Sequence, residues 1–172
     1  SSESLIVDFG LSNEFMLPVH FSGNRFENDI LTTIIGALSN LQHGEVGVFQ
    51  VLFQKTKQNW SEEILNAVGY FDNTPFFNNS PEMIPLAKQK VNRPLFACVL
   101  RIASKSLYQD RSMQIVKSLG ASLISLSNPI GNEFIPLSND NYDDDDHEQA
   151  LLNRSSYRCG MILNSDELVS LV

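Results

Sequence analysis

Two runs constrain the fold more than any other part of the chain, because each alternates with period two and carries apolar side chains on both faces. In Glu45 to Gln54, Val46, Val48 and Leu52 share one face and Phe49, Val51 and Phe53 the other. That is the look of a strand covered on both sides, and it predicts a central strand. In Leu95 to Ser104, announced by Pro94, Phe96, Cys98, Leu100 and Ile102 share a face, and Arg101 stands opposite among Ala97, Val99 and Ala103. A sheet with other layers packed on it follows from two such runs.

Around them the period changes to that of a helix. Asn24 with Glu27 is a helix-start signature, a side-chain oxygen and a carboxylate able to satisfy orphan N–H groups. Ile30, Leu31, Ile34, Ile35, Leu38 and Leu41 then recur at helical spacing until Gly44, predicting a helix over about residues 27–42. Ser61-Glu-Glu opens a second helix after Trp60, with Ile64, Leu65, Val68 and Phe71 on one stripe, and a short helix follows over about 81–91 with Pro85 in its first turn. Asp110 to Gly120 reads as helix, at its widest from Ser106 to Leu126. Gly120 leaves two readings open: a stop followed by a strand over Ser122 to Ser127, or a glycine inside a longer helix. A last short helix is expected over Asp146 to Arg154.

Four further apolar runs complete the pattern. Leu5 to Phe9 and Phe15 to Phe21 form either a hairpin or one strand after an extended lead-in, with Pro18 favouring an edge. Glu133 to Leu137 is pushed to an edge by Pro136, and Tyr157 to Leu163 reads as the final strand. Strands near 15–21, 46–54, 95–104 and 157–163, alternating with helices near 27–42 and 107–126, predict an α+β fold. The arrangement expected is a ferredoxin-like split βαβ sandwich with helices on one face, in a single domain spanning 1–172. An α-helical insertion, about 57–93, separates its two halves. A parallel doubly wound sheet is the alternative.

Composition excludes more than it assigns. A net charge of −8, from 12 Lys+Arg against 20 Asp+Glu, opposes binding to a phosphate backbone. The local cationic group Lys55, Lys57, Lys88, Lys90 and Arg93 is read as solvated surface. Cys98 and Cys159 have no metal spacing and read as buried reduced thiols, which points to a reducing, cytoplasmic setting. No apolar stretch approaches the ~20 residues of a membrane helix, so any membrane association is expected from segments outside this chain.

No motif supplies a chemistry. The nine glycines form no phosphate-cradling loop and no Gly-Lys-Ser/Thr triplet occurs. The acidic segment, about 138–148, contains Asp140-Asn-Tyr-Asp-Asp-Asp-Asp-His-Glu148, in which alternating Asp143, Asp145 and His147 offer hard ligands for a divalent cation. The turning glycine and spaced terminal glutamate of a calcium loop are missing. A solvated loop whose carboxylates favour a helix dipole is the plainer reading, and a small metal-dependent enzyme or metal-binding domain using 140–148 is the alternative one. His20, His43 and His147 lie in unrelated contexts, and there is no Gly-x-Ser-x-Gly elbow. Phe76-Phe77, in a Pro/Asn-rich loop, reads as loop aromatics returning to the core before it reads as a docking tip. No catalytic, cofactor-binding or metal residue is assigned.

At the C-terminus, Asn164 with Glu167 repeats the helix-start signature, and Leu168, Val169, Leu171 and Val172 form an apolar tail without a C-cap. The start lacks an initiator methionine, and both ends look excised from a larger protein. The aliphatic helix Ile30-Leu-Thr-Thr-Ile-Ile-Gly-Ala-Leu-Ser-Asn-Leu41, the strand Val48-Phe-Gln-Val-Leu-Phe-Gln54, Trp60, the strand Pro94-Leu-Phe-Ala-Cys-Val-Leu-Arg-Ile-Ala103 and the closing Met161-Ile-Leu-Asn-Ser-Asp-Glu-Leu-Val-Ser-Leu171 come in a recognisable order. That series resembles the N-terminal, pre-motor region of HerA/FtsK-class ATPases of conjugation and type IV secretion. The resemblance implies a non-catalytic accessory domain of an ATP-driven translocase, mediating oligomerisation or docking. It also implies ATP and Mg in a motor domain beyond this chain, and partners in that motor, neighbouring subunits or a secretion-complex protein. No phosphate loop or acidic magnesium motif is present, so it carries over no catalytic residue.

Overall fold

In a computed structural model the described residues are 3–19, 30–56, 60–69, 81–140, 142–158 and 160–172. They form an α+β fold built on a five-stranded antiparallel sheet. The strands are β1 (Glu3–Leu11), β2 (Val46–Lys55), β3 (Leu95–Ser106), β4 (Phe134–Pro136) and β5 (Met161–Asn164). β3 is the axis. Along one side it pairs with the whole of β2, from Val46↔Lys105 to Lys55↔Phe96. Its other side is shared by β1, from Glu3↔Ser106 to Phe9↔Leu100, and by β5, from Leu95↔Asn164 to Cys98↔Met161. β4 extends the sheet beyond β1, giving the order β2-β3-β1-β4.

The helices are α1 (Ile30–Ser39), α2 (Trp60–Gly69), α3 (Met83–Val91), α4 (Gln109–Gly120), α5 (Asp144–Leu152) and α6 (Ser165–Val169). Cys98, Leu100 and Ile102 turn to one face, where they meet Ile30 and Ile34 of α1, Ile115, Val116 and Leu119 of α4, and Leu168 of α6. The approach is close: a Cβ on Gly47 would stand 2.9 Å from Leu38 Cδ2. Leu95 and Ile162, of opposite parity, join Ile64 of α2 and Ala87 of α3 in a second apolar cluster. Burial of these two sets is the main stabilising term, at roughly 25 cal/mol per Å² of apolar surface.

Several expectations are corrected. The first strand is the earlier run, and residues 12–19 make no strand. Their polar backbone is satisfied by the buried Asn132, whose amide accepts from Asn13 N–H at 2.8 Å and donates to the carbonyls of Glu14 at 2.9 Å and Leu17 at 3.1 Å. The strand expected over Tyr157 to Leu163 starts only at Met161. Gly160 lies so tightly on β3 that a Cβ there would fall 2.1 Å from Cys98 O. Helices do not keep to one face, because α5 lies against the side of β3 that carries Arg101. Residues Ala121–Leu126 settle the ambiguity at Gly120: they are 3₁₀ helix continuing α4, and Gly120 has ordinary helical angles (φ −67°).

β2 is the most instructive correction. It stands at the end of the sheet order, where a central strand is expected from its pattern. Apolar residues on both faces report layers above and below a strand; they say nothing about what lies along its hydrogen-bonding edge. The expected helix over 27–42 is observed from Ile30 to Ser39, with Gly44 at φ +85° in the turn that follows. Its proposed cap at Asn24 and Glu27 lies outside the described residues, as do residues 57–59 and 70–80 of the insertion.

Candidate functional site

Two clusters of buried charge stand out. The first is a row across the sheet. Register places Asp8 of β1 and Gln50 of β2 directly opposite Arg101 of β3, on its two sides. The Arg101 guanidinium is fully buried; its Nε donates to Asp8 Oδ1 at 2.7 Å, and its Nη1 donates to Gln50 Oε1 and to Ser155 O, each at 3.2 Å. Above the row sits α5. Asp143 caps it, accepting from the N–H groups of Asp145 and Asp146, while Asp144, Asp145 and Asp146 stay exposed in the first turn. One turn on, His147 points inward, its Nε2 3.1 Å from Asp8 Oδ2.

Tyr142 and Arg158 close this cluster. The Tyr142 ring stands edge-on to His147 at 4.4 Å, and the Arg158 guanidinium lies 4.3 Å over that ring. Arg158 reaches Asp8 Oδ2 at only 3.8 Å and donates to Ser138 O at 2.8 Å. Burial pushes the Asp8 carboxyl up, yet contact with His147 and Arg101 outweighs it and holds the group below its ordinary range. The cluster is incompletely satisfied. Asp8 Oδ2 and His147 Nε2 are close without meeting hydrogen-bond geometry, and Arg101 Nη2 and Tyr142 Oη are buried without a partner. Beside it, Leu52, Gln54, Ala97, Val99, Arg154 and Ser155 line part of a shallow open cleft of about 490 Å³.

The second cluster is complete. Asn164 and Glu167 form the capping box expected from the sequence: Glu167 N–H donates to Asn164 Oδ1 at 2.9 Å, and Asn164 N–H to Glu167 Oε2 at 2.7 Å. The same carboxylate accepts from Val19 N–H at 2.8 Å and binds Lys90 Nζ at 2.7 Å, with both charged side chains fully buried. Asn164 Nδ2 adds a bond to Lys90 O at 3.1 Å. Burial pulls the Lys90 ammonium below its ordinary pKa against the opposing attraction of Glu167. Cys98 is buried, and desolvation pushes its thiol up to about 12, which makes it a poor nucleophile.

These placements change the sequence-level reading. Lys90 leaves the expected cationic surface altogether, and Arg93 is tied to Asp166 at 3.1 Å. The apolar tail packs at home: Leu168 and Leu171 are buried in the chain's own core, while Val169 and Val172 are exposed. Asp143, Asp145 and His147 are not brought together, because Asp143 turns to the α5 amides and His147 turns inward. Among the described residues no group of three or more His, Cys, Asp or Glu side chains is arranged to hold a metal ion. His43 is exposed in the turn before Gly44, while His20, Cys159 and Phe76-Phe77 lie outside the described residues. Sequence reasoning assigns Asp8 no role, although a signal exists: it is the one charge in the apolar run Leu5 to Phe9, as Arg101 is among the apolar residues from Leu95 to Ala103.

The remaining feature is the outer edge of β2. Thr56 N–H donates to Leu95 O, its opposite number in the β2–β3 register, at 3.3 Å. Alternation then turns the backbone groups of the even-numbered residues toward β3 and those of Gly47, Phe49, Val51, Phe53 and Lys55 outward. Among the described residues no strand pairs with that edge. Comparison with protein-family models, with curated proteins and with solved structures finds no match. No helix among the described residues is long and apolar enough to cross a membrane.

Proposed function

We propose that this chain is a non-catalytic assembly domain that associates through the outer edge of β2. One observation carries the reading: β2 is a ten-residue edge strand with which, among the described residues, no other strand pairs along its outer edge. Edge strands are ordinarily blunted by a bulge, a proline, an inward charge or shortness. β2 runs in unbroken one-to-one register, contains no proline and has its only charge at Lys55, its last residue. Val46 and Phe53 are exposed along it. An edge of this kind is a template for strand addition, where main-chain bonds supply affinity and alternate side chains supply specificity.

The same proposal takes the sheet order β4-β1-β3-β2, with β1 linked to β2 by α1 and β3 to β4 by α4, as a ferredoxin-like split βαβ with α2 and α3 inserted. It also retains the reading drawn from resemblance: an accessory domain of a HerA/FtsK-class translocase at work in the cytoplasm, whose ATP and Mg would be held by a motor portion elsewhere. The buried charges support an architectural role, because Arg101 ties Asp8, Gln50 and Ser155 to β3 and Glu167 ties Val19 and Lys90 to the start of α6. The purified chain is expected to release no phosphate from ATP with Mg²⁺ beyond a buffer blank. Turnover that co-purifies with the chain overturns the reading.

A further inference from the structure

Resting on that reading, we infer that the strand added to the β2 edge is β2 of a second copy, in an antiparallel pair about a two-fold axis through Gln50. The argument is self-complementarity. An antiparallel partner must present outward-facing residues opposite outward-facing residues, which restricts the allowed registers to alternate positions. With the axis at Gln50, Glu45 stands opposite Lys55 of the second copy, Gly47 opposite Phe53, and Phe49 opposite Val51. Every apolar side chain with an outward-facing backbone then meets an apolar residue or a glycine. Lys55, the one charge in β2, then lies beside Glu45, which stands just before the strand with its carboxylate bonded to Arg111 at 2.8 Å, and the contact recurs by symmetry. Moving the axis to Val51, the next allowed register, sets Lys55 against Gly47 and takes it away from Glu45.

The residues involved suit this role. Gly47, Phe49 and Val51 are half-buried, and Phe53 and Lys55 are exposed. An exposed Phe53 laid over a partner glycine is a favourable cross-strand arrangement, and each opposite-charge or apolar pair adds a few tenths to one kcal/mol in known sheets. Pairing would join two five-stranded sheets into one continuous sheet without changing either β3 ladder. The isologous geometry closes on itself and stops at two copies.

Sedimentation of the intact chain from about 1 μM to about 1 mM tests this. A reversible monomer–dimer equilibrium is expected. Val51→Pro removes an outward N–H that the β3 ladder does not use, a position where an edge strand tolerates proline. It should leave the far-ultraviolet circular dichroism unchanged and weaken the dimer about a hundredfold or more. Should that variant fail to fold, Lys55→Glu decides: facing Glu45 twice, it should weaken the dimer about tenfold, and Lys55→Arg should preserve it. A chain monomeric throughout this range overturns the inference, as does a dimer indifferent to Val51→Pro and Lys55→Glu. Neither result bears on whether the chain turns over ATP, so failure of the self-pairing and failure of the non-catalytic reading are separable.

Discussion

The two buried charge clusters use the same chemistry to different ends. At Lys90–Glu167 both carboxylate oxygens are bonded, the ammonium lies between them, and the helix start and the Val19 amide share the site. At Asp8–Arg101 one carboxylate oxygen is firmly bonded and the other has two cationic or ionisable neighbours, neither well placed. A buried pair stabilises only when its desolvation is offset by complete hydrogen bonding. The first cluster meets that condition and the second does not. Lys90–Glu167 is a rivet between α3, α6 and residue 19, whereas Asp8–Arg101 has alternatives within reach.

The largest expected effect follows from the rivet. Glu167→Ala removes the partner of a fully buried ammonium, half of the capping box and the acceptor for Val19 N–H together. Breaking a buried pair from one side costs about 3–5 kcal/mol, and loss of the cap adds about 1. Chemical denaturation should show a destabilisation at the upper end of that range. Glu167→Gln keeps the capping geometry and strands only the ammonium, so adding Lys90→Met to it should recover part of the loss. A double variant as unstable as the sum of its parts would mean the two groups do not act as a pair.

How far this was readable from sequence differs between the clusters. Asn164 and Glu167 announce a helix start by spacing alone, because capping is local and both partners lie within four residues. That Glu167 also holds Lys90 is invisible, since 77 residues separate them and only the fold brings α3 to α6. Likewise Arg101 signals an unmet need for a carboxylate, and Asp8 is the one charge in the run Leu5 to Phe9, yet their match depends on a register that sequence does not fix. Periodicity located α1, α4 and both long strands well. It misplaced β2 within the sheet because edges leave no trace in facial alternation. It also counts a strand near 15–21 beside the run Leu5 to Phe9, because a loop with Met16, Leu17 and Val19 buried is as apolar as a strand.

Arg101→Met gives the intermediate effect and tests the contrast directly. Removing the guanidinium leaves the Asp8 carboxylate buried, but His147 and Arg158 remain beside it and can take up the charge. A loss of about 2–3 kcal/mol is expected, below the usual cost of a one-sided break. Equilibrium unfolding in urea would read it. A loss equal to that of Glu167→Ala would show that the neighbours cannot substitute, and the two clusters would then be equivalent rivets.

The smallest effect belongs to a third pair, Glu45–Arg111, which lies nearer solvent and so separates geometry from burial. Its bonds are short, 2.8 Å from both Nε and Nη2 to the carboxylate. The Arg111 hydrogen bonds, with help from the Gln42 N–H, hold Glu45 down from 4.5 to about 2. A carboxyl depressed on folding contributes stability that is present above its unfolded pKa and lost as pH falls through the folded one. Glu45→Gln should therefore melt about 1–3 °C below the parent near neutrality, the modest scale of a solvated ion pair. The gap should close progressively between about pH 5 and about pH 2, as the parent carboxyl takes up its proton. A gap that persists at the acid end would assign the effect to the neutral hydrogen bonds, and geometry would outweigh charge even where burial is slight.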